Sequence, residues 1–404
     1  MKRIYFDHSA TTPVDREAAA LALEYMTDKF GNASSIHSFG RESRKAVDAA
    51  REQVAALLGA TPNEIFFTSG GTEGDNLAIK GVAFANRKKG NHIITSAIEH
   101  HAILHTCEYL EKQGYEVTYL PVDEYGMVRI EDLKKAITDK TILISIMFAN
   151  NEVGTLQPVK EIGRIAREKG IYFHTDAVQA AGNYPIDVNE LNIDLLTLSG
   201  HKFHAPKGIG ALYIRRGVKV DEIQHGGGHE RNMRAGTENV PGIAGLGKAA
   251  EIAKRDMEKK TARLRSMRDR IIREITEKIP HIKLNGHPTE RMPGNVNFSF
   301  LYVEGESLLL NLDLKGIAAS SGSACTSGSL DPSHVLLAMG MTHEVAHGSL
   351  RVTLGRDNTD EDVDYFLEVL PEIISRLRAM SPLFGAGGTA RAGNPCSECQ
   401  AHSH

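Results

Sequence analysis

The chain has 404 residues, of which 41% are hydrophobic and 24% charged, as in an ordinary soluble globular protein with room for two domains. A net charge of −4 argues against a nucleic-acid-binding protein, and the absence of any run of about 18 apolar residues argues against a membrane span. Four cysteines are too few for a disulfide framework, and the opening residues lack an apolar signal core, so we expect a reducing, cytoplasmic location.

Strands and helices alternate through the first half of the chain. Apolar runs predict strands at 64–69, 92–95, 117–120, 141–147, 171–174, 193–198 and 208–214. Helical spacing of apolar residues predicts helices at 16–30, 41–58, 103–113, 130–137 and 161–169, with another beginning at the glycine turn after residue 69. The alternation predicts an α/β fold with a mostly parallel sheet and helices on both faces. Ligands of such sheets bind at the carboxyl ends of the strands.

The glycine turn at Gly70 and Gly71 joins a predicted strand to a predicted helix. Bare N–H groups and the positive end of the helix dipole at such a turn favour an anion, and the Thr72 hydroxyl can add a hydrogen bond. We interpret the turn as a phosphate site. An ordinary strand-to-helix turn is the alternative, since the dinucleotide-binding glycine pattern is absent.

Lys202 lies in a tight connection between two predicted strands, close to Ser199 and His201. A partly desolvated lysine there would have a lowered pKa and could act as a nucleophilic amine. Ser199 and His201 can donate hydrogen bonds to a phosphate. An amine beside a phosphate site is what a pyridoxal phosphate (PLP) Schiff base needs. Taken alone, such a lysine is more often a solvated surface charge.

Polar clusters follow five of the predicted strands, and their convergence on one sheet edge favours the PLP interpretation. The clusters are 69–72, 99–101, 150–152, 175–179 and 199–202. Asp176 would pair with the protonated pyridine nitrogen, because a buried carboxylate is costly without a partner. Gln179 is placed to reach the ring hydroxyl. His100 would stack on the ring or shuttle protons, or else would be a histidine satisfied at a helix start.

Six motifs, in order along residues 3–384, resemble those of PLP-dependent enzymes of the class-V aminotransferase family. More narrowly, they resemble cysteine desulfurases of the NifS/IscS type. The motifs are FHTDAVQ (173–179), SGHK (199–202), RAGTEN (234–239), AASSGSAC (318–325), LRVTLGR (350–356) and RAMSPL (378–383). The resemblance implies a fold type I, aminotransferase-like α/β architecture.

The resemblance also implies roles for single residues. Lys202 is similar to the Schiff-base lysine that later moves the substrate α-proton, and Asn151 and Arg351 to the groups that bind the substrate carboxylate. The residues that the resemblance places at the cofactor are Gly71, Thr72, His100, Asn151, Asp176, Gln179, Ser199, His201, Lys202 and Thr237. Thr237 would reach the phosphate of a second subunit, which implies a homodimer. Gly71 and the pair His8–Ser9 depart slightly from the family pattern without removing a reactive group.

Cys325 lies among small polar residues, 320–329, with no apolar stripe to bury its thiol. A cysteine on such an exposed loop is suited to attack a substrate and then to carry cargo. The resemblance identifies it as the catalytic cysteine, whereas a spare surface cysteine is the alternative. Cys107 lies within a helical pattern and is expected to be a packing residue.

The chain is predicted to divide into three parts. Residues 13–255 would form a large PLP-binding domain, and residues 256–384 with 1–12 a smaller α+β domain that carries the Cys325 loop. Within the smaller domain, the apolar pattern predicts a long charged helix at 256–278, a strand at 294–300 and a helix at 360–378. Residues 385–404 read as a flexible linker and tail. The tail contains Cys396, Cys399 and two histidines, which could bind a soft metal or accept sulfur as a dithiol, unless the tail is simply disordered.

These observations predict an enzyme that converts L-cysteine to L-alanine and leaves the sulfur on Cys325 as a persulfide. The sulfur would then pass to an iron–sulfur scaffold or another acceptor protein. Two alternatives stay open from the sequence: a selenocysteine lyase that uses the same site, and a non-catalytic sulfur carrier or cluster scaffold that uses Cys325 and the tail cysteines.

Overall fold

The computed structural model describes residues 3–321, 332–382 and 384, so Cys325, Cys396 and Cys399 lie outside the described residues. The strands are β1 (Ile4–Tyr5), β2 (Ile65–Thr68), β3 (His92–Ser96), β4 (Glu116–Leu120), β5 (Thr141–Ser145), β6 (Tyr172–Asp176), β7 (Leu195–Ser199), β8 (Gly210–Ile214), β9 (Ile282–Leu284), β10 (Asn295–Phe300), β11 (Ile317–Ala318) and β12 (Ser349–Thr353). The helices are α1 (Arg16–Thr27), α2 (Ser38–Leu58), α3 (Gly71–Ala85), α4 (His101–Glu111), α5 (Ile130–Ala136), α6 (Val159–Lys169), α7 (Val240–Lys278), α8 (Gly305–Leu314), α9 (His334–Ala338), α10 (His343–His347) and α11 (Asp360–Met380).

Seven strands form the large sheet in the order β2-β8-β7-β6-β5-β3-β4. All neighbours from β7 to β4 pair in parallel, and β8 runs antiparallel to both β7 and β2. The mostly parallel α/β sheet predicted from the sequence is confirmed. Because β2, β3, β5, β6 and β7 all point the same way, the five polar clusters that follow them lie at one edge of the sheet.

The large sheet is buried on both faces. Ile93 and Leu195 pack in one hydrophobic cluster, and their chain neighbours Ile94 and Leu196 pack in another. Side chains of consecutive strand residues point to opposite faces, so both faces are covered. This explains why the strands appear in the sequence as continuous apolar runs rather than as alternating patterns.

A second core forms around the antiparallel sheet β12-β10-β9 and the parallel pair of β1 and β11. Phe6 of the opening segment packs there with Phe298, Phe366 and residues from the second half of α7. The sequence predicted α7 only from residue 256. The helix begins earlier because Asn239 caps it, accepting a hydrogen bond from Gly242 N at 3.1 Å.

The predicted domain boundary at residues 255 and 256 therefore falls inside a single helix that contributes to both cores. The division into domains stays a prediction. The elements that the sequence patterns did not predict are β1, β9, β11, β12, α8, α9 and α10. α2 ends at its C-cap, Gly59, whose left-handed φ of 68° is the usual conformation of a glycine that caps a helix. None of the helices in the described ranges is long and apolar enough to cross a membrane.

Candidate active site

Lys202 ends a single 3-10 turn, Gly200–Lys202, that follows β7 directly. Its Nζ donates hydrogen bonds to two backbone carbonyls of the opening turn, Ser9 O at 2.5 Å and Ala10 O at 2.9 Å. The opening turn is therefore part of the site, although it lies more than 190 residues away in sequence. Backbone acceptors of this kind leave no side-chain signal, which is why the sequence did not reveal them.

Gln179 lies beside Lys202, as the sequence predicted. Its Nε2 donates to Ser9 O at 3.1 Å, the same carbonyl that accepts from the Lys202 amine. Asn183, one turn further along, donates its Nδ2 to Lys202 O at 3.1 Å. The lysine is thus held through its backbone and through its amine.

Asp176 is the last residue of β6 and only 7% exposed. Its Oδ1 accepts a hydrogen bond from Val178 N at 2.9 Å. Burial raises the pKa of this carboxyl to about 6, against the opposing effects of that hydrogen bond and of the Lys202 charge. At neutral pH the group is therefore an anion in a buried place, which suits a cationic ligand atom.

Two further acids, Asp75 and Glu99, lie buried near Asp176 and were not singled out in the sequence. Burial raises the pKa of Glu99 to about 8, and burial together with Asp176 raises that of Asp75 well above its usual range. Among the described residues Asp75 Oδ1 has no hydrogen-bond partner, and it lies 3.7 Å from Nε2 of the buried His174. Of the three acids, Asp176 is the one for which the Lys202 charge is among the effects that favour the anion.

The start of α3 forms an anion-binding geometry next to Ser199. No side chain in the part of the chain that the structure describes caps the helix at Gly70, and Thr72 lies in its first turn. A Cβ built on Gly70 would lie 3.8 Å from Ser199 Oγ, so this hydroxyl is close to the helix start. A Cβ on Gly210 would approach Gly70 Cα to 2.8 Å, and only glycine there allows the turn to lie against β8. Helix N–H groups and a hydroxyl at one place suit a phosphate.

His201 and His100 are both neutral histidines at this edge. Burial, followed by the charge of Lys202, lowers the pKa of each to about 4. His201 Nδ1 lies 3.1 Å from Thr11 Oγ1. His100 caps α4, accepting from Ala102 N at 3.1 Å through Nδ1, so its proton resides on Nε2. A neutral ring of this kind can lie against an aromatic ligand without charge repulsion from Lys202.

Arg351 and Asn151 are brought together from the two cores. Arg351 lies in β12 and is 1% exposed; it donates to Asn151 O at 3.1 Å and to Asp7 Oδ1 at 2.9 Å. Its Nε is buried and makes no hydrogen bond within the described part of the chain. The guanidinium therefore retains a donor for a further acceptor. Asp7 was missed in the sequence, because its partner is 344 residues away.

Thr237 does not lie at Lys202. It is exposed and lines a surface groove with Ser69, Gly208 and Arg234. Arg234 is tied to α3 by a 2.8 Å ion pair with Glu73. This surface groove lies next to the glycine turn. The contact of Thr237 with the phosphate of a second subunit stays a prediction.

Cys107 is buried in α4, and burial raises the pKa of its thiol to about 12. Its prediction as a packing residue is confirmed, since such a thiol is inert. The roles predicted for Cys325, Cys396 and Cys399 concern positions outside the described residues.

The sequence profile of the family Aminotransferase class-V matches residues 4–366 of this chain. The chain is 64% identical over 382 residues to a cysteine desulfurase IscS of Methanosarcina thermophila, covering 95% of this chain and 94% of that protein. A solved NifS-like protein is 40% identical and superposes with a TM-score of 0.87, over 93% of this chain and all of the other. A solved structure described as SspA in complex with cysteine is 37% identical with a TM-score of 0.78, over 87% of this chain and 99% of the other.

These similarities confirm the aminotransferase-like fold that the motifs implied. The family match spans most of the chain, and the identity to the desulfurases extends through both cores. PLP dependence is a property of this enzyme class. The chain therefore belongs to the class-V aminotransferase family and, within it, to the cysteine desulfurases.

Proposed function

We propose that this enzyme converts L-cysteine to L-alanine with PLP bound at Lys202, and that the released sulfur forms a persulfide on Cys325. The observation that carries the proposal is the placement of Lys202 and Asp176 at the ends of the adjacent strands β7 and β6. An amine and a buried carboxylate are set side by side there, next to the open start of α3. The relative solved with cysteine supports the choice of substrate.

The residues present fit PLP. Asp176 offers a buried anion for the ring nitrogen, and Gln179 lies beside Lys202 for the ring oxygen. The phosphate would be held by the start of α3 and by neighbouring side chains, namely Gly71, Thr72, Ser199 and His201. When bound, PLP withdraws electrons from the α-carbon of an attached amino acid. The neutral ring of His100 would cover one face of the cofactor.

Substrate binding and proton transfer are carried out by different residues of the chain. Arg351 and Asn151 bind the substrate carboxylate and so orient the substrate with its α-proton towards Lys202. Lys202 removes the α-proton and returns a proton to carbon as alanine forms. Ser9 O and Ala10 O hold the amine of Lys202 close to this position.

Sulfur transfer completes the reaction. The Cys325 thiolate attacks the substrate sulfur, so that an S–S bond forms as the C–S bond breaks. One cysteine and one thiol thus become one alanine and one persulfide, with no outside oxidant. We expect the persulfide to pass to an iron–sulfur scaffold or another acceptor protein in the cytoplasm.

We further expect a homodimer. Large apolar side chains on α1, on the start of α2 and on the connection between these helices are more than half exposed: Leu23, Met26, Phe30, Ile36 and Phe39. Such a patch marks an interaction surface, and a second copy would also bring its phosphate site to Thr237. Sedimentation of the wild type and of Ile36→Lys checks this: a monomeric wild-type protein would contradict it, and a monomeric variant would support it.

The function is tested by incubating the purified, PLP-loaded protein with L-cysteine. We expect alanine and, with a small thiol reductant, sulfide in equal amounts, and a persulfide on Cys325 by mass spectrometry. Cys325→Ser should form neither persulfide nor sulfide, because a hydroxyl is far less ionised than a thiol near neutral pH. Normal sulfide release by Cys325→Ser would refute the role of Cys325.

A further inference from the structure

Lys260 lies on α7 at the junction of the two cores. Ala253, two turns earlier, packs in the core around the large sheet, and Leu264, one turn later, packs in the second core. The Lys260 amine reaches the turn that follows β6, where it donates hydrogen bonds to Gly182 O at 2.5 Å and to Asn183 Oδ1 at 3.1 Å. A side chain from the second half of α7 is therefore bonded to a turn of the large sheet.

Asn183 connects this contact to Lys202. Its Nδ2 donates to Lys202 O at 3.1 Å and to Gln179 O at 3.3 Å. An ammonium group can only donate hydrogen bonds, so Lys260 fixes the amide of Asn183 with its oxygen towards α7 and its NH2 group towards Lys202. An amide turned the other way would set its NH2 group against the ammonium and its oxygen against two carbonyl oxygens. Lys260 thus selects the orientation in which Asn183 holds Lys202.

The backbone around Lys202 is held from two sides. Thr12 Oγ1 donates to His201 O at 2.9 Å and accepts from His204 N at 2.8 Å, so the opening turn holds residues on either side of the lysine. Asn183 contacts the carbonyl of Lys202 itself. It therefore fixes the peptide unit next to the Cα atom from which the reactive side chain extends.

The Lys202 side chain borders a cavity between the two cores, and Asn183 and Lys260 line the same cavity. A side chain beside open space lacks packing contacts on that side, so its position depends on its hydrogen bonds. At the amine these are the bonds to Ser9 O and Ala10 O, and at the backbone the bond from Asn183. Loss of the Asn183 bond should therefore shift the amine.

The charge of Lys260 carries a cost in stability. Burial lowers the pKa of its amine to about 8, the Arg356 charge acts in the same direction, and Asp256 opposes it. Its hydrogen-bond acceptors are a carbonyl and an amide oxygen, neither of which carries a charge. An apolar side chain of similar length, such as methionine, could fill the same space. The contacts that need a donor are those to the turn that holds Lys202.

We propose that Lys260 is a positioning residue for the Lys202 amine: through Asn183 it holds the backbone of Lys202 so that the amine meets the α-proton of the substrate. The inference rests on the proposed function, because it concerns the proton transfer assigned there to Lys202. The substrate carboxylate is assigned to Arg351 and Asn151. Removing the Lys260 donor should therefore slow proton transfer and leave substrate binding unchanged.

The first test measures exchange of the α-proton of L-alanine in D2O by the PLP-loaded protein. Alanine has no sulfur, so the exchange reports on Lys202 without sulfur transfer. Lys260→Met removes the donor, and its exchange rate per bound PLP should fall about 10-fold, with half-saturation by alanine within about twofold of the wild type. Lys260→Arg keeps donors and should exchange within about threefold of the wild-type rate. Because rates are counted per bound PLP, partial unfolding alone would not lower them.

A second readout uses the cofactor-free protein. The Lys202 amine has to attack added PLP, so a displaced amine should attach it more slowly, again by about 10-fold in Lys260→Met. Borohydride reduction at set times, followed by mass spectrometry, measures the PLP attached to Lys202. Equal attachment and exchange rates in Lys260→Met and the wild type would overturn the proposal.

Asn183→Leu tests whether Lys260 acts through Asn183. Leucine has nearly the shape of asparagine but makes no hydrogen bonds, so this variant should be about as slow as Lys260→Met. The double variant should be no slower than Asn183→Leu, because the second change removes a link that is already broken. Multiplied effects of the two changes would show that Lys260 acts by another route and would overturn the proposal. If Lys260→Met does not fold, a wild-type exchange rate in Asn183→Leu overturns it.

Lys254→Met is the matched control. Lys254 lies on the same helix, and its amine donates to Ala56 O of α2 at 2.8 Å, which is also a contact between a lysine and a backbone carbonyl. This variant should exchange the α-proton within about twofold of the wild-type rate. Equal losses in Lys254→Met and Lys260→Met would overturn the proposal. Failure of the wild-type protein to attach PLP at Lys202 would instead refute the proposed function.

Discussion

The site has two halves, one around Lys202 and Asp176 and one around Arg351, and the fold positions them in different ways. Lys202 and Asp176 lie at the ends of adjacent parallel strands, each directly after a buried apolar run. Arg351 lies inside a short strand of the second core and reaches the site through Asp7 and Asn151, residues more than 190 positions away. The first half is built by local sequence and sheet topology, and the second half by long-range contacts. Changes in the first should abolish chemistry, and changes in the second should weaken binding or alignment.

The largest effect is expected from Lys202→Ala. Without the amine, no group is placed to move the α-proton, so alanine production should fall by more than about a thousandfold. The Ser9 and Ala10 carbonyls would lose a donor but can bind water, so the fold should survive. Alanine release and thermal unfolding would be measured together. Normal alanine release by a folded Lys202→Ala protein would show that Lys202 does not move the α-proton. It would also contradict the assignment of the chemistry to the first half of the site.

Asp176→Asn should lower the rate and raise the stability of the cofactor-free protein. The amide cannot balance a cationic ring nitrogen, so we expect weaker PLP retention and a rate about 100-fold lower. Burial raises the folded-state pKa of Asp176 to about 6, against an unfolded value of 3.8, so the wild-type carboxylate destabilises the fold above pH 6. This cost is absent below the unfolded pKa and grows as pH rises between the two values.

For the cofactor-free proteins, the variant should therefore have a higher free energy of unfolding than the wild type at pH 7, and the difference should be much smaller at pH 4. Urea unfolding at the two pH values measures the difference. An equal effect at both pH values would mean that Asp176 is not the buried anion of this edge. The charge of Asp176 also raises the pKa of Asp75 and of Glu99, so the measured difference includes the response of these two neighbours to the loss of that charge.

Arg351→Gln tests the second half, and we expect its main effect on KM. The loss of a charge-assisted contact with the substrate carboxylate should raise KM for cysteine about 10- to 100-fold. Asp7→Asn removes the carboxylate that pairs with Arg351 but leaves the guanidinium in place, so its effect on KM should be smaller. A larger rise in KM for Asp7→Asn than for Arg351→Gln would show that the arginine acts structurally.

Sequence patterns predicted the first half of the site better than the second for a physical reason. A strand buried on both faces is a continuous apolar run, so its carboxyl end and the polar residues after it can be recognised locally. By contrast, β1 and β11 have two residues each, and Glu152 follows Asn151 with no local sign that it is buried against Ser333. The backbone carbonyls of Ser9 and Ala10 carry no side-chain signal at all. Arg351 was identified only through the family resemblance, because its surroundings form in three dimensions.

The smallest effect is expected from removing residues 385–404, which the sequence predicts to be a flexible linker and tail. Phe384 itself packs against Tyr302 and His281, with ring centroids 5.5 and 6.0 Å apart. A protein ending at Phe384 keeps this contact and should release alanine, with a small reductant present, within about twofold of the wild-type rate. A protein ending at Met380 is the matched control: it loses the aromatic contact and should unfold at a lower temperature. If Cys396 and Cys399 receive sulfur, the shorter protein should deliver less of it to an acceptor protein while the Cys325 persulfide forms normally. Loss of alanine release in the protein that ends at Phe384, together with full activity in Cys325→Ser, would make a tail cysteine the first sulfur acceptor.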